Sequence, residues 1–256
     1  MTVDVEVVVG VLLDPAQRLQ LGQYARRRAQ LTQQVEGPDR ILPGDQQAQL
    51  GEPALACRLG CAGSLGALMH DIGKPATKGQ HAGYVTFIGH DSVGADQVVD
   101  SLARLKASRA LSRYVEGLTR NHLHLGFMVH ERPVPRRRLY EYLARCGDVA
   151  PDVTLLTAAD RMSARGSGAI AAPEMINAHL DLVREVLPAA LDWHEAGPPP
   201  VPIPGDELAR ELGIEEGPRL GELIESLRAA VFAGEVADRE AAIEHARRAL
   251  DQAASD

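Results

Sequence analysis

Apolar residues at helical spacing dominate this chain from about residue 53 onward. In GSLGALMHDIGK they recur at i, i+3, i+4 and i+7, as Leu65, Leu68, Met69 and Ile72. A second stripe of the same period follows the pair Asp91-Ser92, which we interpret as a helix N-cap; it comprises Ala95, Val98, Val99, Leu102 and Leu105. Because no segment shows sustained period-two alternation, we predict an all-α protein.

The composition agrees with a core of packed helices. Aromatic residues make up 4% of the chain, so the core must be built from Leu, Val, Ile and Ala. That supply suits packed helices better than a β-sandwich. Pro75 is expected to end the helix that contains HDIGK. Further helices are predicted at about 109–121, 134–145, 151–164 and 173–191.

The pattern divides the chain into three parts. The first begins with a candidate strand at about 3–11 and a helix-like stretch at about 14–31. The run AGPPPVPIPGD cannot be helical, and it predicts a linker before a small helical tail in which Gly234 is the expected C-cap of a helix. We predict an N-terminal segment, a helical bundle, and a linker with its tail; their bounds are 1–53, 54–195 and 196–256.

The formal net charge of −8 argues against a protein that simply coats nucleic acid. The charge is uneven, because residues 100–165 hold twelve Lys and Arg against seven Asp and Glu, whereas residues 204–256 hold six against thirteen. A local basic face could steer an anionic substrate. Ordinary solvated helix faces would explain the same pattern equally well.

Several features favour the cytoplasm. The short apolar run at the N-terminus contains Asp4 and Glu6, unlike a signal peptide, and no run is long enough for a membrane helix. Three cysteines form no disulfide pattern. A zinc site at Cys57 and Cys61 is weakly indicated, because no second Cys/His pair lies nearby.

Two carboxylates are expected on the edges of apolar helices. Asp71 follows His70 on a helix whose other face is apolar, and Asp160 lies in the largely hydrophobic helix TLLTAADRMSARG. A single His-Asp pair is usually satisfied by backbone and water. Two acids that each need a cationic partner suggest a shared cation instead, because burying an unpaired carboxylate costs several kcal/mol.

Candidate imidazole ligands lie between the two acids in sequence. His90 comes just before a predicted helix, and His122 and His124 lie at a helix end. A mixture of imidazole and carboxylate ligands suits Mn²⁺, Fe²⁺, Co²⁺ or Ni²⁺, and suits Mg²⁺ less well.

Four segments carry a resemblance to a known family. HDIGKPATKG, TFIGHDSVGA, RNHL and LLTAADRMSARG resemble the HD phosphohydrolase superfamily. Their order and spacing are most like those of the HD half of bacterial CCA-adding and poly(A)-polymerase-type tRNA nucleotidyltransferases. The tail IPGDELARELGIEEGPRLGELIESLRAAVFAGEV is similar to the segment that follows the HD region in those enzymes. The resemblance covers about residues 53–250 and implies an HD-type helical bundle.

The resemblance implies a divalent metal centre. It places His70 and Asp71 at the HD doublet and Asp160 at the distant aspartate ligand. In members that hold two metals, further histidines complete the second site, and His90 and His122 fit that part here. His124 is expected to be a core or surface histidine.

Basic residues near these ligands are candidates for phosphate contacts. Lys74 matches the lysine of the HD-x-x-K pattern, although a surface lysine with a packed stem is an equal alternative. Arg161, or Arg120, is expected to help neutralise phosphate oxygens. Together with Asp71, Lys74 and Arg161 make up the predicted catalytic set.

The chain departs from the family pattern in two places. HD enzymes usually have another histidine upstream of the doublet, and residues 1–69 contain none. Either His90 or His122 replaces that ligand, or water does, or the site is degenerate. The chain also lacks a Gly-Gly segment followed by paired aspartates, so we do not expect it to add CCA.

These features predict a metal-dependent phosphohydrolase acting on nucleotides or RNA ends, such as 2′,3′-cyclic phosphates. The substrate class rests on the kinship with tRNA enzymes alone. The alternative is a non-catalytic module that binds tRNA or a partner and belongs to a split nucleotidyltransferase. The acidic tail and the retained ligand triad favour the enzyme over the module.

Overall fold

A computed structural model describes residues 14–36, 62–164 and 172–253. Among the described residues every regular element is a helix except for one short hairpin, which confirms the all-α prediction. The candidate strand at 3–11 and the cysteines 57 and 61 lie outside the described residues. The helices are α1 (Pro15–Glu36), α2 (62–69), α3 (Lys74–Thr77), α4 (His90–Arg104), α5 (Arg109–Asn121), α6 (His124–Phe127), α7 (Arg136–Cys146), α8 (Ala150–Ser163), α9 (Pro173–Ala196), α10 (Gly205–Leu212), α11 (Pro218–Ala233) and α12 (Arg239–Ala253).

The hairpin follows α3 and was not predicted from the sequence. Strands β1 (Gly79–His81) and β2 (Tyr84–Thr86) pair antiparallel, with His81 opposite Tyr84. Ala82 and Gly83 connect them, both with positive φ, as a two-residue hairpin turn requires. Strands of three residues are too short to show a period-two pattern in the sequence.

Helices α2, α4 and α5 form the layer that carries most of the site. Their shared core consists of Met69, Val98, Leu102 and Val115. Leu68 was expected on the apolar face of α2, but its side chain is 79% exposed. Helix α4 begins at His90 with Gly89 as its N-cap, so the prediction of a cap at Asp91-Ser92 is wrong by about two residues.

Helices α8 and α9 pack side by side at the centre of the larger core. Apolar residues recur at helical spacing along the inner face of α9; the buried ones are Leu180, Leu182, Val183, Val186, Leu187, Ala190, Leu191 and Trp193. Helix α1 packs on α9, and its Tyr24 hydroxyl donates to Asp152 Oδ2 at 2.5 Å. Within the described ranges, none of the helices combines the length and the apolarity needed to cross a membrane.

Helices α10 to α12 form the tail around a separate apolar cluster. Gly234 ends α11 in the left-handed conformation, with φ of 80°, as predicted. Helix α11 packs on α7 of the bundle, where Phe232 contacts the rings of Tyr140 and Trp193. The predicted division of the chain at residues 53–54 and 195–196 stays a prediction.

Two of three consecutive arginines on α7 connect the bundle to the tail. Arg136 donates to the Phe232 carbonyl at 2.7 Å, and Arg137 pairs with Glu235 of the tail. Arg138 pairs with Glu131 and Glu141. All three cations are therefore engaged within the chain.

Candidate metal centre

His70 and Asp71 lie in a tight turn at residues 70–73, between α2 and α3. The Lys74 amide donates to the Asp71 carbonyl at 3.0 Å and closes this turn. Helix α2 ends at residue 69, so the prediction that Pro75 ends it is wrong. Pro75 lies instead in the first turn of α3. Backbone N–H groups of the first turn have no partner within the helix, so the N–H that proline lacks is not needed there.

Two glycines bring this turn against the start of α4. A Cβ on Gly73 would lie 2.2 Å from the His90 carbonyl oxygen and 2.7 Å from the Gly94 amide nitrogen. Gly73 has φ of −75°, which any residue can adopt, so the position requires the absence of a side chain rather than a special backbone angle. The contact places the His70-Asp71 turn beside His90.

Three imidazoles of the site are oriented in the same way. In each, Nδ1 lies within hydrogen-bond distance of the backbone carbonyl three residues upstream, which can only accept a hydrogen bond. In each neutral ring the proton therefore resides on Nδ1, which makes Nε2 the nitrogen that can bind a metal. The distances are 2.8 Å from His70 to Ala67, 2.7 Å from His90 to Phe87 and 2.7 Å from His122 to Thr119.

The three Nε2 atoms converge on the Asp71 carboxylate. The distances are 3.3 Å from His70 to Oδ2, 3.3 Å from His90 to Oδ1 and 3.8 Å from His122 to Oδ1. The Nε2 atoms of His90 and His122 are themselves 3.2 Å apart. Two lone pairs facing each other at this distance repel unless a cation lies between them, so this donor set is suited to a metal ion.

Asp160 approaches the cluster from α8. Its Oδ1 lies 3.6 Å from His70 Nε2, the same nitrogen that the Asp71 carboxylate approaches. The side chains of Asp71 and Asp160 are 33% and 52% exposed, so the expectation that both acids are buried is wrong. The imidazole side chains are only 4–14% exposed, and these rings rather than the acids argue for a cation.

The geometry meets the requirements of a divalent ion. His70, Asp71 and His122 each offer one ligand atom, and these atoms lie within 4.8 Å of one another. Bonds of about 2.0–2.6 Å from one ion could reach all of them. Asp160 and His90 lie at the edges of this group and could complete one ion or hold a second.

The carboxylates set the protonation of the cluster. Burial lowers the pKa of His70, but the nearby carboxylates of Asp160 and Asp71 outweigh burial and raise it to about 10. Burial raises the pKa of Asp71, yet His70 and Lys74 hold it well below its usual range. Burial and the neighbouring imidazoles lower the pKa of His122, so its ring is neutral near pH 7.

We expect metal affinity to rise with pH because an ion must displace the His70 proton. Below a pKa of about 10 this proton is bound in the metal-free protein, and each ion that binds releases it. The apparent association constant for Mn²⁺ should increase by about tenfold per pH unit between pH 6 and 8. Calorimetric titration in buffers of different ionisation enthalpy measures the number of protons released. The His70→Gln variant should show a weaker dependence of metal affinity on pH. An affinity independent of pH would contradict this assignment of the His70 proton.

Of the predicted phosphate contacts, Lys74 lies directly at the cluster. Its Nζ donates to Asp71 Oδ2 at 2.6 Å and lies 5.8 Å from the centre of the Phe87 ring. Arg120 instead pairs with Glu116 and Asp96. That pairing makes Arg120 a poor candidate for a phosphate contact.

Arg161 follows Asp160 at the end of α8. Within the described part of the chain, its buried Nε has no hydrogen-bond partner. A Cβ placed on Gly126 of α6 would lie 3.9 Å from Arg161 Nη2, which is an ordinary van der Waals distance. The Arg161 guanidinium thus lies near Gly126 of α6, and its place as a phosphate contact stays a prediction.

One predicted histidine lies outside the ligand group, and two residues near the site were not predicted. His124 packs its ring edge against Phe127 and is not in the ligand group found among the described residues. Neither Gly73 nor His179 was predicted from the sequence to contribute to the site. Gly73 is part of the HDIGK motif, but only the structure shows its close approach to α4. His179 lies among the apolar residues of α9, and nothing in that pattern distinguishes it.

Comparison with known proteins identifies the domain. Residues 62–165 match the family model described as HD domain. The chain carries an HD domain. The match begins with α2 and ends just after α8, so the HD domain encloses all five proposed ligands.

Two curated relatives share sequence with this chain over a wider region than the HD domain. It is 32% identical over 180 residues to the CC-adding tRNA nucleotidyltransferase of Thermus thermophilus, covering 70% of this chain and 38% of the relative. It is 33% identical over 171 residues to the A-adding tRNA nucleotidyltransferase of Deinococcus radiodurans, covering 66% of this chain and 37% of the relative. The chain thus spans less than two fifths of the length of these relatives.

Proposed function

We propose that this chain is a metal-dependent phosphohydrolase acting on nucleotides or RNA ends such as 2′,3′-cyclic phosphates. One observation carries the proposal: three imidazole Nε2 atoms, each oriented by a backbone carbonyl, converge on Asp71. The HD domain supports a divalent-metal site. The similarity to CC-adding and A-adding tRNA nucleotidyltransferases supports nucleotide or RNA substrates.

The proposed ligands divide into two groups around Asp71. His70, Asp71, His122 and Asp160 would hold one ion, and His90 would join a second. When bound, an ion at this site would polarise a phosphoryl oxygen and lower the pKa of a water molecule. We propose Mn²⁺, Ni²⁺, Co²⁺ or Fe²⁺ ahead of Mg²⁺, because imidazole nitrogen suits the transition metals better.

The side chains of the cluster contribute orientation and charge. The backbone bonds of His70, His90 and His122 fix their rings, so little reorganisation is needed when a ligand binds. Lys74 would neutralise an oxygen of the phosphate that is hydrolysed, because its Nζ already lies at the edge of the Asp71 carboxylate. Asp71 would keep the imidazole rings and the ion in fixed positions relative to each other.

Metal analysis of the purified protein, followed by hydrolysis assays, tests this proposal. The assays use bis(p-nitrophenyl) phosphate and 2′,3′-cyclic AMP, each with Mn²⁺, Ni²⁺ or Mg²⁺. We expect bound metal and metal-stimulated hydrolysis of at least one substrate. Protein that neither binds these ions nor hydrolyses either compound would overturn the proposal and leave the tRNA- or partner-binding module.

Replacing the three arginines of α7 provides a test that distinguishes an RNA-binding module from an enzyme. Because Arg136, Arg137 and Arg138 are engaged within the chain, replacing all three by Gln should change the salt dependence of tRNA binding by less than about one unit of slope. Hydrolysis of 2′,3′-cyclic AMP should be unchanged. Filter binding across a salt series measures the slope; a loss of about three units would favour an RNA-binding module.

A further inference from the structure

The connection between α4 and α5 exposes four cations, which we call the α4–α5 basic turn. They are Arg104 at the end of α4, Lys106 in the connection, and Arg109 and Arg113 at the start of α5. All four residues are exposed, and residues 101–115 contain no Asp or Glu. Arg104 donates to the Ser101 hydroxyl and Arg113 to the Arg109 carbonyl, but within the described part of the chain none of the four forms an ion pair.

These charges are unfavourable for folding on their own. Arg109 is the first residue of α5, where the positive end of the helix dipole disfavours a cation, and Arg113 adds a like charge four residues later. Lys106 has φ of 55° in the turn that closes α4, a position that usually holds glycine. On α7, by contrast, Arg137 and Arg138 are paired with acids. Unpaired charges in such places indicate an anionic partner.

A groove of about 710 Å³ lies along α4 between this turn and the candidate metal centre. It is lined by Ile72 of the turn at 70–73 and by Gln97, Asp100, Ser101, Ala103 and Arg104 of α4. Ile72 directly follows Asp71 in the chain, and Arg104 belongs to the α4–α5 basic turn. The groove therefore connects the surroundings of Asp71 with the exposed cations.

The metal centre and the basic turn lie at opposite ends of α4. His90 is the first residue of this 15-residue helix and Arg104 is the last. At a rise of about 1.5 Å per residue, their backbones are about 20 Å apart. A strand whose phosphates are about 3.4 Å apart needs about six nucleotides to span that distance. A single nucleotide at the metal centre cannot reach the basic turn, whereas the end of an RNA strand can.

We propose that the α4–α5 basic turn binds the phosphate backbone of an RNA whose end lies at the metal centre. This inference rests on the proposed function and narrows its substrate class to RNA ends rather than single nucleotides. The RNA follows the groove along α4, and its phosphates pair with the guanidinium groups of Arg104, Arg109 and Arg113. An acidic protein would meet the same cations but would bring no phosphate to the metal centre.

Binding of a 12-nucleotide RNA to metal-free protein across a salt series tests this surface. The triple variant has Arg104→Gln, Arg109→Gln and Arg113→Gln. It loses three phosphate contacts, so the salt-dependence slope should fall by about two units, at about 0.7 per phosphate of a single strand. Affinity at low salt should fall by at least about tenfold. Replacing the same three arginines by Lys keeps the charge and should retain most of the slope.

The matched control is the α7 variant in which Arg136, Arg137 and Arg138 are replaced by Gln. It removes the same number of arginines, but these are engaged within the chain, so the slope should change by less than about one unit. Filter binding measures all the slopes. Thermal melts establish that each variant is folded.

Hydrolysis of two substrates with the same reactive end tests the connection with the metal centre. One is a 12-nucleotide RNA ending in adenosine 2′,3′-cyclic phosphate, and the other is 2′,3′-cyclic AMP, each with Mn²⁺-loaded protein. For the wild type, KM should be at least about tenfold lower for the RNA, with a similar kcat, because the backbone contacts add binding without altering the reacting end. In the triple Gln variant the ratio of the two KM values should approach one, whereas the α7 variant should keep it.

Each outcome either supports or overturns the inference. A slope change in the triple Gln variant no larger than that of the α7 variant would overturn it, as would equal KM values for the two substrates with the wild type. If a Glu-rich peptide binds with the same dependence on the three arginines and the RNA does not bind, the surface serves an acidic protein and the inference is wrong. If the RNA binds as expected but neither substrate is hydrolysed, the proposed function fails while the RNA-binding surface is supported.

Discussion

Replacing Asp71 by asparagine should abolish tight metal binding and lower hydrolysis by more than about a hundredfold. Asparagine keeps the shape of the side chain but removes the charge toward which three Nε2 atoms converge, at 3.3–3.8 Å. Loss of a residue that merely orients a metal ligand costs about 10–100-fold, so loss of a direct ligand should exceed that range. Calorimetric Mn²⁺ titration and steady-state hydrolysis measure the two effects.

Asp96→Asn provides the matched control for this substitution. Asp96 is 77% exposed and pairs with Arg120 at the surface of α4. Its loss should leave metal affinity and hydrolysis at the wild-type level. Should Asp71→Asn also retain wild-type hydrolysis, the activity belongs to a contaminant, and the binding-module interpretation would replace the enzyme.

Replacing Gly73 by alanine should both destabilise the protein and disrupt the metal centre. The new methyl group would lie 2.2 Å from the His90 carbonyl oxygen and 2.9 Å from the Gly94 Cα, which are backbone atoms that cannot rotate away. Either the turn or α4 must move, at a cost of about 3 kcal/mol or more. Because the displaced turn carries His70 and Asp71, metal affinity should fall as well.

Gly221→Ala is the control for the glycine substitution. Gly221 lies within α11, and a Cβ there would meet nothing within 4 Å. Alanine should stabilise this helix by up to about 1 kcal/mol. Urea denaturation and Mn²⁺ titration of both variants test the contrast; a Gly73→Ala protein with unchanged stability would show that the turn and α4 are not in backbone contact.

The sequence predicted the helical architecture well because the apolar period of most long helices is unbroken. The helix predicted at 109–121 coincides with α5. The errors occur where a segment is too short to show a repeat of apolar residues. These segments are the turn at 70–73, the hairpin and the start of α4. There, contacts of the backbone between segments distant in sequence decide the structure, as Gly73 and Gly94 illustrate.

The ligand residues could be named from sequence, but the arrangement that supports them could not. His70, Asp71 and Asp160 stood out as charged residues in apolar surroundings, with candidate imidazole ligands between them in sequence. The resemblance then favoured His90 and His122 over His124. The hydrogen bonds from Nδ1 to backbone carbonyls depend on ring orientation, which no spacing encodes. Their assignment to a metal and to catalysis stays a prediction.

The contact of Phe232 with the bundle bears on the cooperativity of unfolding. This tail residue packs against Tyr140 and Trp193 of the bundle, and Tyr140 also donates to Glu225 of the tail at 3.0 Å. Unfolding of the tail would therefore expose rings of the bundle to water, so the two parts should melt in one transition with one heat-capacity step. The proline-rich run between them then acts as a spacer rather than a hinge, and fragments cleaved there should remain associated.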